Sequence, residues 1–175
     1  MIIFDDEYFM KRALVLARQA SDEGEVPVGA VAVMHDSIIA SAYNQVEKLK
    51  DATAHAEIIL LTKVSAAIGD WRLNDVTIYV TKEPCPMCAG ALLNSRIKRV
   101  VFGMCDPKFG GAGGAINIFA IPDTTEVVVN GGLLEEEAKE IMQAFFKEKR
   151  TVRRKMATSD FCTGITLDKP MNKEI

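Results

Sequence analysis

The 175-residue sequence has little of what marks a membrane, secreted or broadly nucleic-acid-binding protein. No apolar run approaches the roughly 18 residues that a membrane-spanning helix needs. Residues 1–7 carry three acidic side chains and no basic one, whereas a secretion signal begins with basic residues. The formal net charge is −3, so the chain has no overall basic excess for binding phosphates. We therefore expect a cytoplasmic protein in which any contact with nucleic acid depends on local charge.

Cysteine and histidine are scarce, with four and two residues respectively. A chain of this length buries a core without disulfides, so these few cysteines are not needed as staples. Cys85 and Cys88 stand three residues apart, whereas Cys105 and Cys162 are isolated and are interpreted as plain thiols. In an intracellular chain a Cys-x-x-Cys pair indicates metal binding or redox chemistry more than a disulfide framework.

Apolar spacing and turn residues predict strands that alternate with helices after an opening hairpin. The predicted helices are residues 5–23, 54–66, 85–94 and 134–150, and the predicted strands are 28–34, 38–42, 77–81, 100–103 and 126–129. Asp51 or Thr53 is expected to cap the second helix. This order indicates an α/β fold with a largely parallel sheet covered on both faces. We expect one domain over residues 1–155 and a loosely attached C-terminal tail over residues 156–175.

Three residues have the chemistry of zinc ligands, namely His55, Cys85 and Cys88. Cys85 and Cys88 begin a predicted helix, where both sulfurs lie on one side of the first turn and the helix dipole favours thiolates. His55 begins another helix, so two helix N-termini can point at one metal beside the sheet. Three protein ligands leave the fourth tetrahedral position for water, as in a catalytic zinc site.

Glu57 is the candidate proton carrier. Zinc lowers the pKa of a bound water towards neutrality, and a nearby carboxyl group can take and return the proton. In mid-helix, residues i and i+2 point roughly 160° apart. His55 and Glu57 can therefore act together only if the metal lies near the axis at the end of the helix. A purely structural zinc and a redox-active cysteine pair are the simpler alternatives, which Glu57 and the absence of an obvious fourth ligand disfavour.

The two halves of the motif, His55-Ala56-Glu57 and Pro84-Cys85-Pro86-Met87-Cys88, form the H-x-E…P-C-x-x-C pattern of zinc deaminases. The sequence around them resembles the bacterial tRNA-specific adenosine deaminases over about residues 5–150. The matching positions are 26–30, 44, 53–57, 79–91, 95–97, 101–103 and the loop 106–108 with its following glycines.

This resemblance implies a three-layer α-β-α cytidine-deaminase-like fold, with a mostly parallel five-stranded sheet that begins with a hairpin. It also implies a homodimer with one zinc ion per subunit, which converts the wobble adenosine of a tRNA anticodon to inosine. Asn44 would lie near the flipped nucleoside, and Asp106 and Lys108 would belong to the loop that meets the anticodon backbone. Phe109 and Gly114 depart from the family, in which a small residue and a serine are common at these positions.

Simpler roles stay open for the proposed substrate-binding residues. Asn44 could serve the hairpin, Asp106 could form a turn beside Pro107, and Lys108 could be an ordinary surface lysine. Phe109 could stack on a base or pack against the protein. Basic residues should line the path of an RNA substrate, unless those near residue 150 merely form the solvated end of a helix. The candidates are Lys98, Arg99, Lys108, Lys147, Lys149, Arg150, Arg153, Arg154 and Lys155.

The leading prediction is thus an RNA-editing deaminase. The first alternative is a deaminase of a free base or nucleoside (guanine, cytosine or cytidine), which would share the zinc site but have a closed pocket and no basic approach. The second, from another class, is a catalytically silent zinc-binding module that scaffolds partners. The intact Glu57 argues against that module.

Overall fold

The computed structural model describes residues 5–163, and the side chains of residues 5–154. The helices are α1 (Asp6–Asp22), α2 (Val46–Leu49), α3 (Ala56–Ile68), α4 (Pro86–Asn94) and α5 (Glu135–Thr163), with a 3-10 turn at Ile118–Ala120. The strands are β1 (Gly29–Met34), β2 (Ser37–Tyr43), β3 (Thr77–Lys82), β4 (Arg99–Met104) and β5 (Val128–Gly131). The predicted order of elements is confirmed, and the short helix α2 is an addition to it.

The start of α1 follows from its capping residue. Asp5 is the N-cap, and its Oδ1 accepts a hydrogen bond from the backbone nitrogen of Tyr8 at 2.9 Å. The helix then packs so tightly on β1 that a Cβ added to Gly29 would lie 2.2 Å from the carbonyl oxygen of Ala13. Glycine at the start of β1 therefore lets helix and strand approach closely.

The sheet has the strand order β2-β1-β3-β4-β5. β1 pairs antiparallel with both β2 and β3, whereas the β3–β4 and β4–β5 pairs are parallel. The five-stranded sheet with an opening hairpin is confirmed, but in detail it is mixed rather than mostly parallel. The β2–α3–β3 connection keeps β2 and β3 parallel, and β1, the other arm of the hairpin, lies between them and runs opposite to both.

Two apolar cores, one on each face of the sheet, give the fold its three layers. Side chains of α3 and α4 pack on the face formed by Ile78, Val80 and their neighbours. Side chains of α1 and α5 pack on the opposite face, which includes Tyr79 and Val101. Consecutive strand residues point to opposite faces, so β1, β3 and β4 are buried on both sides.

Two expectations about helix α3 and the chain end differ from the structure. Neither Asp51 nor Thr53 caps α3: Asp51 Oδ1 accepts a hydrogen bond from Thr53 N at 2.8 Å in the preceding turn, and the N-cap is His55. The last helix continues to Thr163 rather than ending near residue 150, so part of the expected tail is helical.

Residues 164–175 and the side chain of Cys162 lie outside the described residues. Among residues 5–163, no helix combines the length and hydropathy of a membrane span.

Candidate active site

Two helix N-termini bring the candidate metal ligands together. His55 is the N-cap of α3 and Cys85 is the N-cap of α4, both with an extended backbone conformation. Neither side chain makes a capping hydrogen bond to its own helix, so both are available to a ligand. Cys88 lies in the first turn of α4 and is fully buried. The positive ends of both helix dipoles favour a negatively charged ligand set at this point.

The distances among the three side chains match a tetrahedral metal site. His55 Nδ1 lies 3.6 Å from Cys85 Sγ and 3.4 Å from Cys88 Sγ, and one ligand atom from each residue lies within 4.8 Å of the others. A tetrahedral metal bound to nitrogen at about 2.0 Å and to sulfur at about 2.3 Å would separate the two atoms by about 3.5 Å. The residues therefore fit a metal ion without rearrangement.

The electrostatics of the cluster favour a cation. Hydrogen bonds with Cys88 and His55 outweigh burial and lower the pKa of Cys85 to about 4. The hydrogen bond with Cys85 also raises the pKa of His55. The same sulfur–sulfur contact, together with burial, raises the pKa of Cys88. One thiolate thus lies beside a second buried sulfur and an imidazole, an arrangement that a cation stabilises.

Glu57 meets the geometric requirement set by the sequence. It is the second residue of α3, is only 4% exposed, and lines the same cavity as His55 and Cys85. Burial raises the pKa of Glu57, and the charge of Cys85 adds to this effect. The side chain therefore has access to a ligand in the cavity while being shielded from bulk water.

The cavity beside the cluster has a volume of about 270 Å³. This is just below the roughly 300–1,000 Å³ of pockets for drug-sized ligands, so it suits a group the size of one base. Its lining combines three valines with polar and charged side chains and one cysteine. The lining residues are Glu25, Val26, Val28, Asn44, Val46, Glu47, His55, Glu57, Lys82, Glu83 and Cys85.

Asn44 lies in this cavity, as the resemblance implies. It follows β2, is 5% exposed, and donates a hydrogen bond from Nδ2 to Glu25 Oε2 at 3.1 Å. Its backbone nitrogen donates to the Val28 carbonyl oxygen at 2.9 Å. The side chain therefore belongs to the cavity while the backbone continues the pairing of the hairpin strands.

The other three predicted substrate-binding residues lie on the loop after β4, outside the cavity lining. Asp106 pairs with Lys82, and its Oδ1 accepts hydrogen bonds from the backbone nitrogens of Lys108 and Phe109, both at 3.0 Å. Although burial opposes ionisation, these contacts keep the pKa of Asp106 below its ordinary value. Phe109 is 60% exposed, and Lys108 Nζ lies 5.1 Å from the centre of its ring. Lys108 and Phe109 thus face solvent, whereas Asp106 shapes the loop.

Lys98 and Arg99 lie at the wrong end of the sheet to line the approach to this cavity. Arg99 begins β4, whereas Cys85 follows the carboxyl end of the parallel neighbour β3. Arg99 forms a two-pronged ion pair with Asp6, with distances of 2.9 and 2.7 Å. The prediction that these two residues approach an RNA substrate at the cavity is therefore wrong.

The basic stretch of α5 is better placed. Lys149 Nζ would lie 3.7 Å from a Cβ added to Gly24, which directly precedes the cavity residue Glu25. Lys149 and Arg153 line a shallow depression with Ser21, Asp22 and Gly24. The end of α1 and the following turn thus contact this basic stretch and lead directly into the cavity residue Glu25.

Glu25, Lys82 and Glu83 are cavity residues that the sequence prediction missed. Each is a charged residue next to a strongly apolar or motif segment: Glu25 precedes residues 26–34, and Lys82 and Glu83 directly precede Pro84. Charged residues at such strand ends are the signal that indicates a ligand site in an α/β fold.

Comparison with known proteins identifies the family. The family model described as MafB19-like deaminase matches residues 4–150. The tRNA-specific adenosine deaminase of Bacillus subtilis (strain 168) is 46% identical over 148 residues, which cover 83% of this chain and 91% of that protein. The chain belongs to the tRNA-specific adenosine deaminase family. The resemblance inferred from the two motif halves is thereby confirmed.

Solved structures agree with this family assignment. A structure from studies of A-to-I editing by tRNA:A34 deaminases at the wobble position of transfer RNA has 42% identity and a TM-score of 0.74, covering 77% of this chain and 98% of that chain. Guanine deaminase from Nitrosomonas europaea has 23% identity and a TM-score of 0.73, covering 83% and 86%. The second match shows that this deaminase family shares its fold with an enzyme named for a free base.

Proposed function

We propose that this chain is a zinc-dependent hydrolase that converts adenosine to inosine at the wobble position of a tRNA anticodon, in the cytoplasm. The observation that carries the proposal is the placement of buried Glu57 in the same base-sized cavity as His55 and Cys85. The tRNA substrate is supported by the relative named as a tRNA-specific adenosine deaminase and by the match to a tRNA:A34 deaminase structure.

His55 Nδ1, Cys85 Sγ and Cys88 Sγ would hold one zinc ion per subunit. One imidazole and two thiolates form a donor set that zinc prefers. The described residues add no further His, Cys, Asp or Glu side chain to this set, so one position is left for a non-protein ligand. When bound, zinc supplies a Lewis acid that makes a hydroxide nucleophile available at neutral pH.

Glu57 would move the protons of the reaction. Water adds to C6 of adenine and the exocyclic amine departs as ammonia, so one carboxyl group must first accept a proton and later return it. Glu57 would accept one proton of the attacking water and pass it to the ring nitrogen. It would then take the proton of the new C6 hydroxyl group and give it to the exocyclic amine, so that ammonia leaves as C6 becomes a carbonyl. Burial raises the pKa of Glu57, which suits a group that acts as base and acid in turn.

Asn44 and the valines of the cavity would orient the base. The Asn44 side chain is held by Glu25, and Val28 and Val46 offer apolar surface within the same cavity. An anticodon nucleotide already lies in a single-stranded loop, so turning its base into the cavity costs less than extrusion from a duplex. Lys108 would contact the RNA backbone, and Phe109 would stack on a neighbouring base.

We also infer a homodimer. Ala89, Leu92 and Leu93 of α4 are buried within the single chain and thus serve its core rather than an interface. Exposed apolar side chains on α4 and around the 3-10 turn Ile118–Ala120 are better candidates for the dimer interface. The two elements contact each other, so these side chains lie in one region of the surface. Met87 on α4, and Ile116 and Ile121 around the turn, are 38%, 49% and 46% exposed. Sedimentation of the protein tests the oligomeric state directly.

The two candidate substrates are separated by one experiment. The zinc-loaded protein is incubated with an anticodon stem-loop carrying adenosine at the wobble position and, in parallel, with guanine, cytosine and cytidine. Conversion of adenosine in the RNA, with no ammonia from the free compounds, supports the proposal. Ammonia release from a free base with intact RNA would assign the chain to free-base deamination instead. Release from neither would leave only a zinc-binding role.

A further inference from the structure

Glu83 is a buried carboxylate that the chemistry above does not use. Its side chain is 2% exposed and stands two residues before Cys85. Oε2 accepts a hydrogen bond from the backbone nitrogen of Asp106 at 2.8 Å. Oε1 accepts from the backbone nitrogens of Ala112 and Gly114, at 3.0 and 2.8 Å. A carboxylate only accepts and a backbone amide only donates, so the three contacts are fully matched and charge-assisted.

The glycines of the loop, defined here as residues 105–117, leave room for this carboxylate. A Cβ added to Gly110 would lie 2.2 Å from Cδ of Glu83, and one added to Gly114 would lie 2.5 Å from its Oε2. Neither glycine has a left-handed φ. At Gly110 the proximity of Glu83, rather than backbone conformation, therefore excludes a side chain.

Further contacts fasten the loop to the segment that leads to the metal ligand. Gly111 N donates to the Pro84 carbonyl oxygen at 2.7 Å. Lys82, at the end of β3, forms an ion pair with Asp106. The loop is thus attached to Lys82 and to Pro84, the residues that lead directly to Cys85. The exposed Lys108 and Phe109 are carried by the part of the loop that these contacts hold.

We propose that Glu83 is a positioning residue for RNA. Its carboxylate holds loop 105–117 in shape, so that Lys108 and Phe109 are presented to the nucleotides that flank the target adenosine. This inference rests on the proposed function. A surface that is ordered before binding loses less conformational entropy in the complex, so the loop contributes to affinity for RNA rather than to the reaction at the base.

The first test measures the loop without RNA. Amide hydrogen exchange is compared between the zinc-loaded wild-type protein and Glu83→Gln, which keeps the size of the side chain but replaces one acceptor oxygen by a donor. We expect the amides of Asp106, Ala112 and Gly114 to exchange at least about tenfold faster in the variant, with Val80 in β3 unchanged. Glu25→Gln is the matched control, because that buried carboxylate also accepts three hydrogen bonds, but from residues 44–48 rather than from the loop. In Glu25→Gln, the amides of Asp106, Ala112 and Gly114 should exchange at the wild-type rates.

The second test measures RNA kinetics. Glu83→Gln should raise KM for the anticodon stem-loop by about tenfold or more, with a smaller change in kcat. It should also reduce the slope of log affinity against log salt by about 0.7, the value for one lost phosphate contact on single-stranded nucleic acid. Gly110→Ala, which places a methyl group against the carboxylate, should shift KM and slope in the same direction.

The outcomes separate this inference from the proposed function. Absence of stem-loop deamination by the wild-type protein contradicts the proposed function itself. If the wild type is active while Glu83→Gln retains its loop exchange rates, KM and salt slope, only the positioning role is overturned. A loss of folded protein alone lowers the apparent kcat and leaves KM and slope unchanged, and that pattern also overturns it.

Discussion

Asn44 Nδ2 lies 3.1 Å from Oε2 of Glu25 and donates a hydrogen bond to it. The Glu25 carboxylate also accepts from the backbone nitrogens of Glu47 and Lys48, at 3.1 and 2.7 Å, in the first turn of α2. Because an ionised carboxylate can only accept, it turns the amide nitrogen of Asn44 towards itself. The Asn44 carbonyl oxygen is then left for a donor group on the base in the cavity.

Replacing Glu25 should therefore disturb substrate binding without removing the metal. Glu25→Gln should lower kcat/KM for the stem-loop by about tenfold to 100-fold, since the Asn44 amide loses its fixed orientation. Zinc content should stay at the wild-type level. Glu23→Gln is the control, because Glu23 bonds to Tyr43 and Lys48 at the surface. Equal activity of the two variants would show that Glu25 does not orient Asn44.

Cys88→Ser should cost the protein its metal. The serine hydroxyl is a poor zinc ligand compared with a thiolate, and even loss of a group that only supports a ligand weakens metal binding by about 10- to 100-fold. We expect a larger loss, measured as zinc per subunit by elemental analysis after dialysis against a weak chelator. Cys105→Ser, which removes an exposed thiol outside the cluster, should retain zinc. Equal zinc content in both variants would contradict the ligand role of Cys88.

The Asp6–Arg99 pair should contribute to stability in a pH-dependent way. The hydrogen bond from Arg99, with a further one from Tyr79, lowers the pKa of Asp6 below 3.8. A lowered pKa in the folded state stabilises the protein above pH 3.8, and this contribution is lost as the pH falls through the folded value. The Asp6 side chain is 40% exposed, so solvent screening limits the effect to about 1 kcal/mol.

Urea unfolding of Asp6→Asn checks this expectation. The variant should be less stable than the wild type at pH 7, and the difference should shrink as the pH falls below about 4. Glu7→Gln is the control, because it removes an exposed i,i+4 ion pair with Lys11 on the same helix. It should change the free energy of unfolding by only about 0.2–0.5 kcal/mol. A constant deficit of Asp6→Asn at every pH would rule out the ion pair as its cause.

The basic face of α5 should bind RNA through its phosphates. The double variant Lys149→Gln, Arg153→Gln should raise KM for the stem-loop and reduce the salt slope by about 1.4, or about 0.7 for each lost contact. Lys98→Gln is the matched control, because Lys98 lies at the opposite end of the sheet. An unchanged slope in the double variant would mean that these residues only form a solvated face of α5.

The metal cluster and Glu57 could be located from the sequence because their chemistry depends on local spacing. Cys85 and Cys88 share one helical turn, and His55 and Glu57 share another, so each pair is fixed by its own helix. That the two helix starts meet follows from the strand–helix order of an α/β fold. The predicted boundaries of the helices and strands agree with the structure to within a few residues, because they too depend on local sequence. The end of α5 is the exception.

Features that depend on packing between distant parts of the chain could not be predicted from the local sequence. The basic character of Lys98 and Arg99 predicts a place on the RNA approach, but the direction of β4 puts them at the opposite end of the sheet from Cys85. The mixed sheet depends on where β1 inserts, which local patterns do not specify. Glu25 and Glu83 serve backbone amides of segments distant in sequence, and no short motif marks such partners.

The central claim is tested most directly by mass spectrometry of the wobble nucleoside after incubation of an anticodon stem-loop with zinc-loaded wild-type protein or Glu57→Ala. We predict that the wild type converts this adenosine to inosine and leaves other adenosines intact. Glu57→Ala should bind the same amount of zinc and deaminate about 10²- to 10⁴-fold more slowly, the usual contribution of a general acid–base group. Inosine formation by Glu57→Ala at the wild-type rate would contradict the account.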